Sequence, residues 1–200
     1  ENVKNRLSKY YGKESTVIYP IIEEISKPKE INNLSSDNQE LRDLPEDFYL
    51  SLGAIAKSKK IDLLCEFFIK NKDKNLVIAG SGSEYSKLRN NYNTDNIFWL
   101  GFVSEEQKLS LYKKAKAFLF LADEDFGLTL LDCLKYDLPI IAKSAGGVIE
   151  ISCKCSDILI DNEEELGQAL DRINNINKRC NNCKKRLIRF NTNSFYRLGN

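Results

Sequence analysis

Histidine and methionine are both absent from the 200 residues. Without an imidazole the chain has no His-activated nucleophile, no His proton shuttle near neutral pH and no His-ligated metal site. The lack of Met extends to position 1, from which the expectation is a fragment or a processed piece of a longer protein. Net charge is nearly absent too. Thirty Lys and Arg stand against 29 Asp and Glu, leaving +1, so no bias toward polyanions exists and nucleic acid is not an expected partner. No apolar run reaches membrane-spanning length. What remains is length enough for one well-buried domain.

The most informative stretch runs from Ala115 to Ile151. Ala117–Leu121 is an unbroken apolar run of strand length, as expected for a strand covered on both faces. An acidic loop, Asp123-Glu124-Asp125, follows, and Phe126-Gly127 opens a Leu-rich segment, 128–136, that reads as a helix. Asp137-Leu138-Pro139 turns into a second buried strand, Pro139–Ala142. Strand, loop, helix and strand in this order build a parallel sheet. The helix N-terminus offers unpaired N–H groups and partial positive charge to a phosphate, and Gly127 permits close backbone approach. Glu124 and Asp132 flank this point eight positions apart. Leu128, Thr129, Asp132 and Lys135 share one helix side, so Asp132 is expected to look along the side of the exposed amides. A sugar or ribose hydroxyl pair would satisfy that carboxylate, which is costly to bury alone. A surface acidic loop with a solvated Asp is the alternative reading.

The rest of the chain repeats the α/β pattern. Val3–Tyr11 reads as a short amphipathic helix ended near Gly12, and Ser15–Tyr19 as a strand stopped by Pro20. Ser26–Asp47 is polar and reads as a linker. Phe48–Leu52 is the first central strand, ending at Gly53, and a Lys57–Lys60 cluster leads into a helix to about Lys72. Lysines at the carboxyl end of a strand lie where open parallel sheets bind ligands; a solvated lysine loop is the plain alternative. Asn75–Ala79 is a strand followed by Gly80-Ser81-Gly82. Tyr85 stands where a third glycine would be, which argues against a dinucleotide-cofactor loop. Asn96–Leu100, Asp157–Ile160 and helices after Ser104 and Asn162 complete a parallel Rossmann-like sheet of about six strands with helices on both faces. A last basic helix is expected over Lys178–Arg189. Of the six cysteines, Cys65 and Cys133 read as core. Cys153, Cys155, Cys180 and Cys183 have a spacing compatible with a four-thiolate zinc site, against the preferred expectation of free thiols in a reducing cytosol.

The run E-D-F-G-L-T-L-L-D, with the Pro-bearing strand and Ala145–Glu150 after it, resembles the C-terminal domain of group 1 glycosyltransferases. Those enzymes have the two-domain GT-B fold and retain anomeric configuration. The words EDFG are similar to mannosyltransferases that use GDP-mannose. The resemblance implies a donor-binding domain that transfers a sugar, mannose from GDP-mannose in that wording, to a hydroxyl acceptor such as a glycan or lipid-linked sugar. It also implies a missing N-terminal domain, with residues 1–25 as the end of that domain and hinge, 26–47 as linker and 48–200 as the nucleotide-sugar-binding domain. No metal and no cofactor beyond the donor are required in this family type. Asp123-Glu124-Asp125 does match D-x-D, the metal–diphosphate signature of the other glycosyltransferase fold, but its strand-to-helix context argues against that role.

Position by position, Glu124 would be the catalytic group, touching the donor sugar and stabilising positive charge at the reacting carbon. Lys59 would hold the diphosphate with amides at Gly127, Leu128 and Thr129, beside Phe126. Asp132, shorter than the family Glu, would bind the ribose, and Phe102-Val103 would lie beside the base. The family motif G-R-x-x-x-x-K keeps Gly53 and Lys59 but has Ala54 in place of Arg. That departure, with Asp132, motivates the rival expectation of a degenerate, non-catalytic domain acting as a binding or partner subunit. Cytoplasmic localisation is expected, with peripheral association at the cytoplasmic face of a membrane.

Overall fold

A computed structural model describes residues 1–19 and 39–176. Six short parallel strands form one sheet: β1 (Tyr49–Leu52), β2 (Leu76–Ala79), β3 (Ile97–Gly101), β4 (Phe118–Phe120), β5 (Ile140–Lys143) and β6 (Ile158–Ile160). Their spatial order is β3-β2-β1-β4-β5-β6, so chain order reverses between β1 and β4. Such a switch point leaves a crevice outside the carboxyl ends of the two strands.

Helices α3 (Ile61–Lys70), α4 (Tyr85–Asn91), α5 (Glu105–Lys114), α6 (Leu128–Lys135), α7 (Val148–Ile151) and α8 (Leu166–Ile173) cover the sheet. Because side chains alternate along a strand, each strand feeds two cores. Leu50, Val77, Phe118 and Ile140 pack with α5 and α6 on one face, while Tyr49, Ile78, Leu119 and Ile141 pack with α3 and α8 on the other. Burying each such side chain contributes on the order of 1.5–3 kcal/mol, which is why strands of three to five residues suffice here. The Asp157 carboxylate accepts from the amides of Ile140 (3.0 Å) and Cys153 (2.7 Å), tying the start of β5 to the turn before β6.

Several ends follow local chemistry. Ser104 and Gln107 form a reciprocal capping box at the start of α5, each side chain accepting from the other's backbone N–H. The Gly80-Ser81-Gly82 turn is knit to the loop after β1, with Ile55 N donating to Ser81 O at 2.9 Å and Glu84 N to Ile55 O at 3.0 Å. It therefore serves as a strand-to-helix turn.

Three expectations need correction. Residues 15–19 form no strand: the sheet edges are β3 and β6, and this β-prone run lies instead beside the loop before α6, where no strand edge is offered. Within the expected linker, Gln39–Arg42 forms a turn of helix (α2), with Leu41 buried against the sheet. Cys153 is disulfide-bonded rather than a free thiol, with the Cys155 sulfur 3.1 Å away, whereas Cys65 is a free, buried thiol. Burial pushes the Cys65 thiol up to about 12, so it behaves as core. The helix expected at 178–189, and with it Cys180 and Cys183, lies outside the described residues, as does the greater part of the linker.

Candidate functional site

The β1–β4 crevice is the mouth of a cleft of about 890 Å³. One wall is the loop after β1, from Leu52 to Ile55, with Lys59 behind it. The other is the loop from Asp123 to Thr129, and the N-terminal helix α1 (Asn2–Tyr11) closes the top with Asn2 and Arg6. Lys59 stands in a short 3-10 turn, Lys57–Lys59, where Lys60 adopts a left-handed conformation (φ 56°) before α3 begins.

Across the cleft Lys59 forms an ion pair with Glu124, both side chains being less than one third exposed. Its Nζ also lies 5.9 Å from the centre of the Phe120 ring. Partial burial holds the Lys59 ammonium below its usual pKa range, because removing water disfavours the charged form. A charge kept under that cost suits a role toward an anion.

Two glycines shape the acidic loop. Gly127, in the left-handed region (φ 77°), sets the entry into α6, and no side chain caps the helix there. The first amides of α6 are therefore open toward the cleft, as the N-terminus of any helix leaves them. Gly146 (φ 60°) lies where a Cβ would strike the Glu124 carbonyl oxygen, and Gly147 N donates to that same oxygen at 2.8 Å. The Ala145–Gly147 turn thus holds the Glu124 backbone from behind. Phe126 packs at 6.1 Å, ring centre to ring centre, on Tyr19, whose hydroxyl donates to Glu150 Oε2 at 2.7 Å. Hydrogen bonds from Tyr19 and the Asn2 amide favour the charged form of the Glu150 carboxyl against the opposing effect of burial.

The structure brings together seven of the expected residues: Gly53, Lys59, Glu124, Phe126, Gly127, Leu128 and Thr129 all line the cleft. Three others lie elsewhere. Asp132, half-buried, has Lys135 and, on α5, Lys108 and Glu105 as its charged neighbours, and burial raises its pKa. It does not line the cleft with the exposed amides. Val103 is core, in one cluster with Leu130 and Cys133, and Phe102 is 82% exposed on the loop before α5. Sequence reasoning missed Arg6 and Asn2, which bond Asp125 from α1 at 2.9 and 3.2 Å. Contacts spanning about 120 residues leave no signal in spacing. The role of Gly146-Gly147 was legible only as part of a motif. Among the described residues no group of three or more Cys, Asp or Glu is placed to hold a metal ion.

The family profile described as glycosyl transferases group 1 matches residues 33–189. No curated protein matches the sequence. Among solved structures, a glycosyltransferase from Rickettsia africae is similar at 18% identity and TM-score 0.76, over 98% of this chain and 59% of that one. The pneumococcal O-GlcNAc transferase GtfA, solved with UDP and GlcNAc, is similar at 20% identity and TM-score 0.63, over 98% of this chain and 41% of that one. Anabaena HepE, solved with UDP and glucose, is similar at 18% identity and TM-score 0.66, over 92% and 55% respectively. The chain spans only about two fifths to three fifths of the length of these solved relatives. A profile covering more than half the sequence, on a switch-point cleft with a lysine, a glutamate and an open helix N-terminus, places this chain in the group 1 glycosyltransferases.

Proposed function

We propose that this chain is the donor-nucleotide half of a retaining glycosyltransferase, acting with a preceding domain to move a sugar from a nucleotide-sugar to a hydroxyl acceptor. The observation that carries the reading is the convergence of Lys59, Glu124 and the Gly127-opened start of α6 on one cleft. A diphosphate seated there receives the Lys59 ammonium as a point charge and the first α6 amides as hydrogen-bond donors. Stabilising the departing nucleoside diphosphate in this way lowers the barrier to breaking the sugar–phosphate bond.

As that bond breaks, positive charge grows at the sugar's reacting carbon. Glu124, released from Lys59 by the diphosphate, supplies the opposite charge. The ligand-free ion pair is thus a resting state that the donor exchanges for two productive contacts. Asp132 and the exposed Phe102, both toward α5 and outside the cleft lining, are the proposed ribose and base contacts for a nucleoside that extends beyond the diphosphate site; the Val103 side chain, buried in the core, takes no part. Catalysis is positioning and electrostatics. Mannose from GDP-mannose is the donor to test first, on the wording Glu124–Gly127; UDP-linked donors are the second reading, favoured by the UDP complexes of GtfA and HepE. The acceptor, a glycan or lipid-linked sugar, is met by the preceding domain at a membrane face.

Isothermal titration with GDP, UDP and ADP, followed by donor-hydrolysis assays with the preferred base, tests this. One nucleoside diphosphate should bind well below millimolar concentration. Absence of binding by all three would favour the degenerate-domain alternative.

A further inference from the structure

The charged side chains lining the cleft are Arg6, Lys59, Asp123, Glu124 and Asp125. Carboxylates outnumber cations, so a diphosphate enters an acidic space and meets repulsion unless every cation turns toward it. Ala54 contributes none. Both available cations are engaged in the resting cleft, on neighbouring residues of one loop: Lys59 with Glu124, and Arg6 through its Nη1, 2.9 Å from Asp125 Oδ1.

The Arg6 pair is the looser of the two. Its side chains are 61% and 54% exposed, against 22% and 31% for Lys59 and Glu124. An exposed pair is weak, so trading it for a phosphate costs little. Asp125 would not be abandoned, because Asn2 Nδ2 donates to the same Oδ1 at 3.2 Å. The helix carrying Arg6 has its own anchor: Asn2 N donates to Glu150 Oε1 at 3.2 Å. A guanidinium presents a planar fork of donors that matches phosphate oxygens two at a time.

We infer that Arg6 is a second diphosphate-binding cation of the donor cleft, supplied by α1 in place of the arginine that position 54 lacks. The inference rests on the donor-nucleotide reading above. It makes α1, which ends 38 positions before β1, part of the nucleotide site, so that the donor bridges this helix and the loop 123–127.

The test is isothermal titration of the full chain with GDP, UDP and ADP and with the matching monophosphates, for the wild type and for Arg6→Ala, Lys59→Ala and the double variant Arg6→Ala/Ala54→Arg. Circular dichroism checks that each folds. Arg6→Ala should weaken the preferred diphosphate about tenfold and the monophosphate far less, and adding Ala54→Arg should recover much of the loss. Unchanged diphosphate affinity in Arg6→Ala, with Lys59→Ala weakened, overturns the role of Arg6 and leaves the donor reading standing. Equal weakening of mono- and diphosphate also overturns it, since that points to a structural effect. A wild type that binds no nucleoside diphosphate overturns both.

Discussion

Replacing Glu124 by Gln should separate binding from turnover, with opposite signs. In the ligand-free cleft Glu124 competes with the diphosphate for Lys59. A part-exposed ion pair of this kind contributes about 0.2–1 kcal/mol, and Gln removes that competitor together with one of three carboxylates lining the cleft. Nucleoside diphosphate affinity should therefore rise, by up to about fivefold. The amide is near the carboxylate in size, and the Glu124 carbonyl still accepts from Gly147 N at 2.8 Å, so the loop should keep its course. Turnover should fall by about 100- to 1,000-fold, the usual effect of deleting one preorganised electrostatic contact to a transition state. Titration calorimetry reads the first quantity and single-turnover donor consumption the second. A Gln variant that binds diphosphate more weakly than the wild type, or turns over at the same rate, would refute the exchange of Lys59 between glutamate and phosphate.

Lys59→Ala should act in the reverse direction on binding, losing a charge-assisted contact of about 1.5–3 kcal/mol and so at least tenfold in diphosphate affinity by calorimetry. Gly146→Ala should cost about 2–5 kcal/mol of stability in urea denaturation, from a left-handed alanine and a Cβ driven into backbone; a loss below half a kilocalorie would show that the turn gives way freely. Asp132→Asn should raise the melting temperature at pH 7. Burial raises the Asp132 pKa in the folded state, so the native protein holds its proton more tightly than the unfolded chain and gains stability as pH falls through that raised value. The advantage of Asn should therefore shrink on acidification toward the unfolded carboxylate pKa and vanish below it, as followed by thermal melts across pH 3–7; a constant difference would contradict the assignment.

How much was readable in advance depended on how local the cause was. β4, the acidic loop, α6 and β5 are legible because each announces itself in a few neighbouring residues: an unbroken apolar run, a Phe-Gly break, a Leu period, a Pro-led turn. Lys59 and Glu124 are named as ligand groups through the resemblance of the words around them to group 1 glycosyltransferases, since local chemistry alone allows a solvated lysine loop and a surface acidic loop equally well. The Ser15–Tyr19 run shows the limit. Its Val, Ile and Tyr favour a strand only if a strand edge is there to pair with, and chain order does not say whether one is.

Composition and periodicity alone thus determined the class of this protein, a parallel α/β sheet with an anion-ready helix start, because those properties arise from interactions between near neighbours. Tertiary structure decided the rest. It set the Lys59–Glu124 pair across the cleft, turned Asp132 toward α5, propped Glu124 on Gly146-Gly147 and brought Arg6 over the acidic loop. Each of these depends on which distant surfaces meet once the sheet twists and its helices dock, and no residue-by-residue preference encodes that meeting.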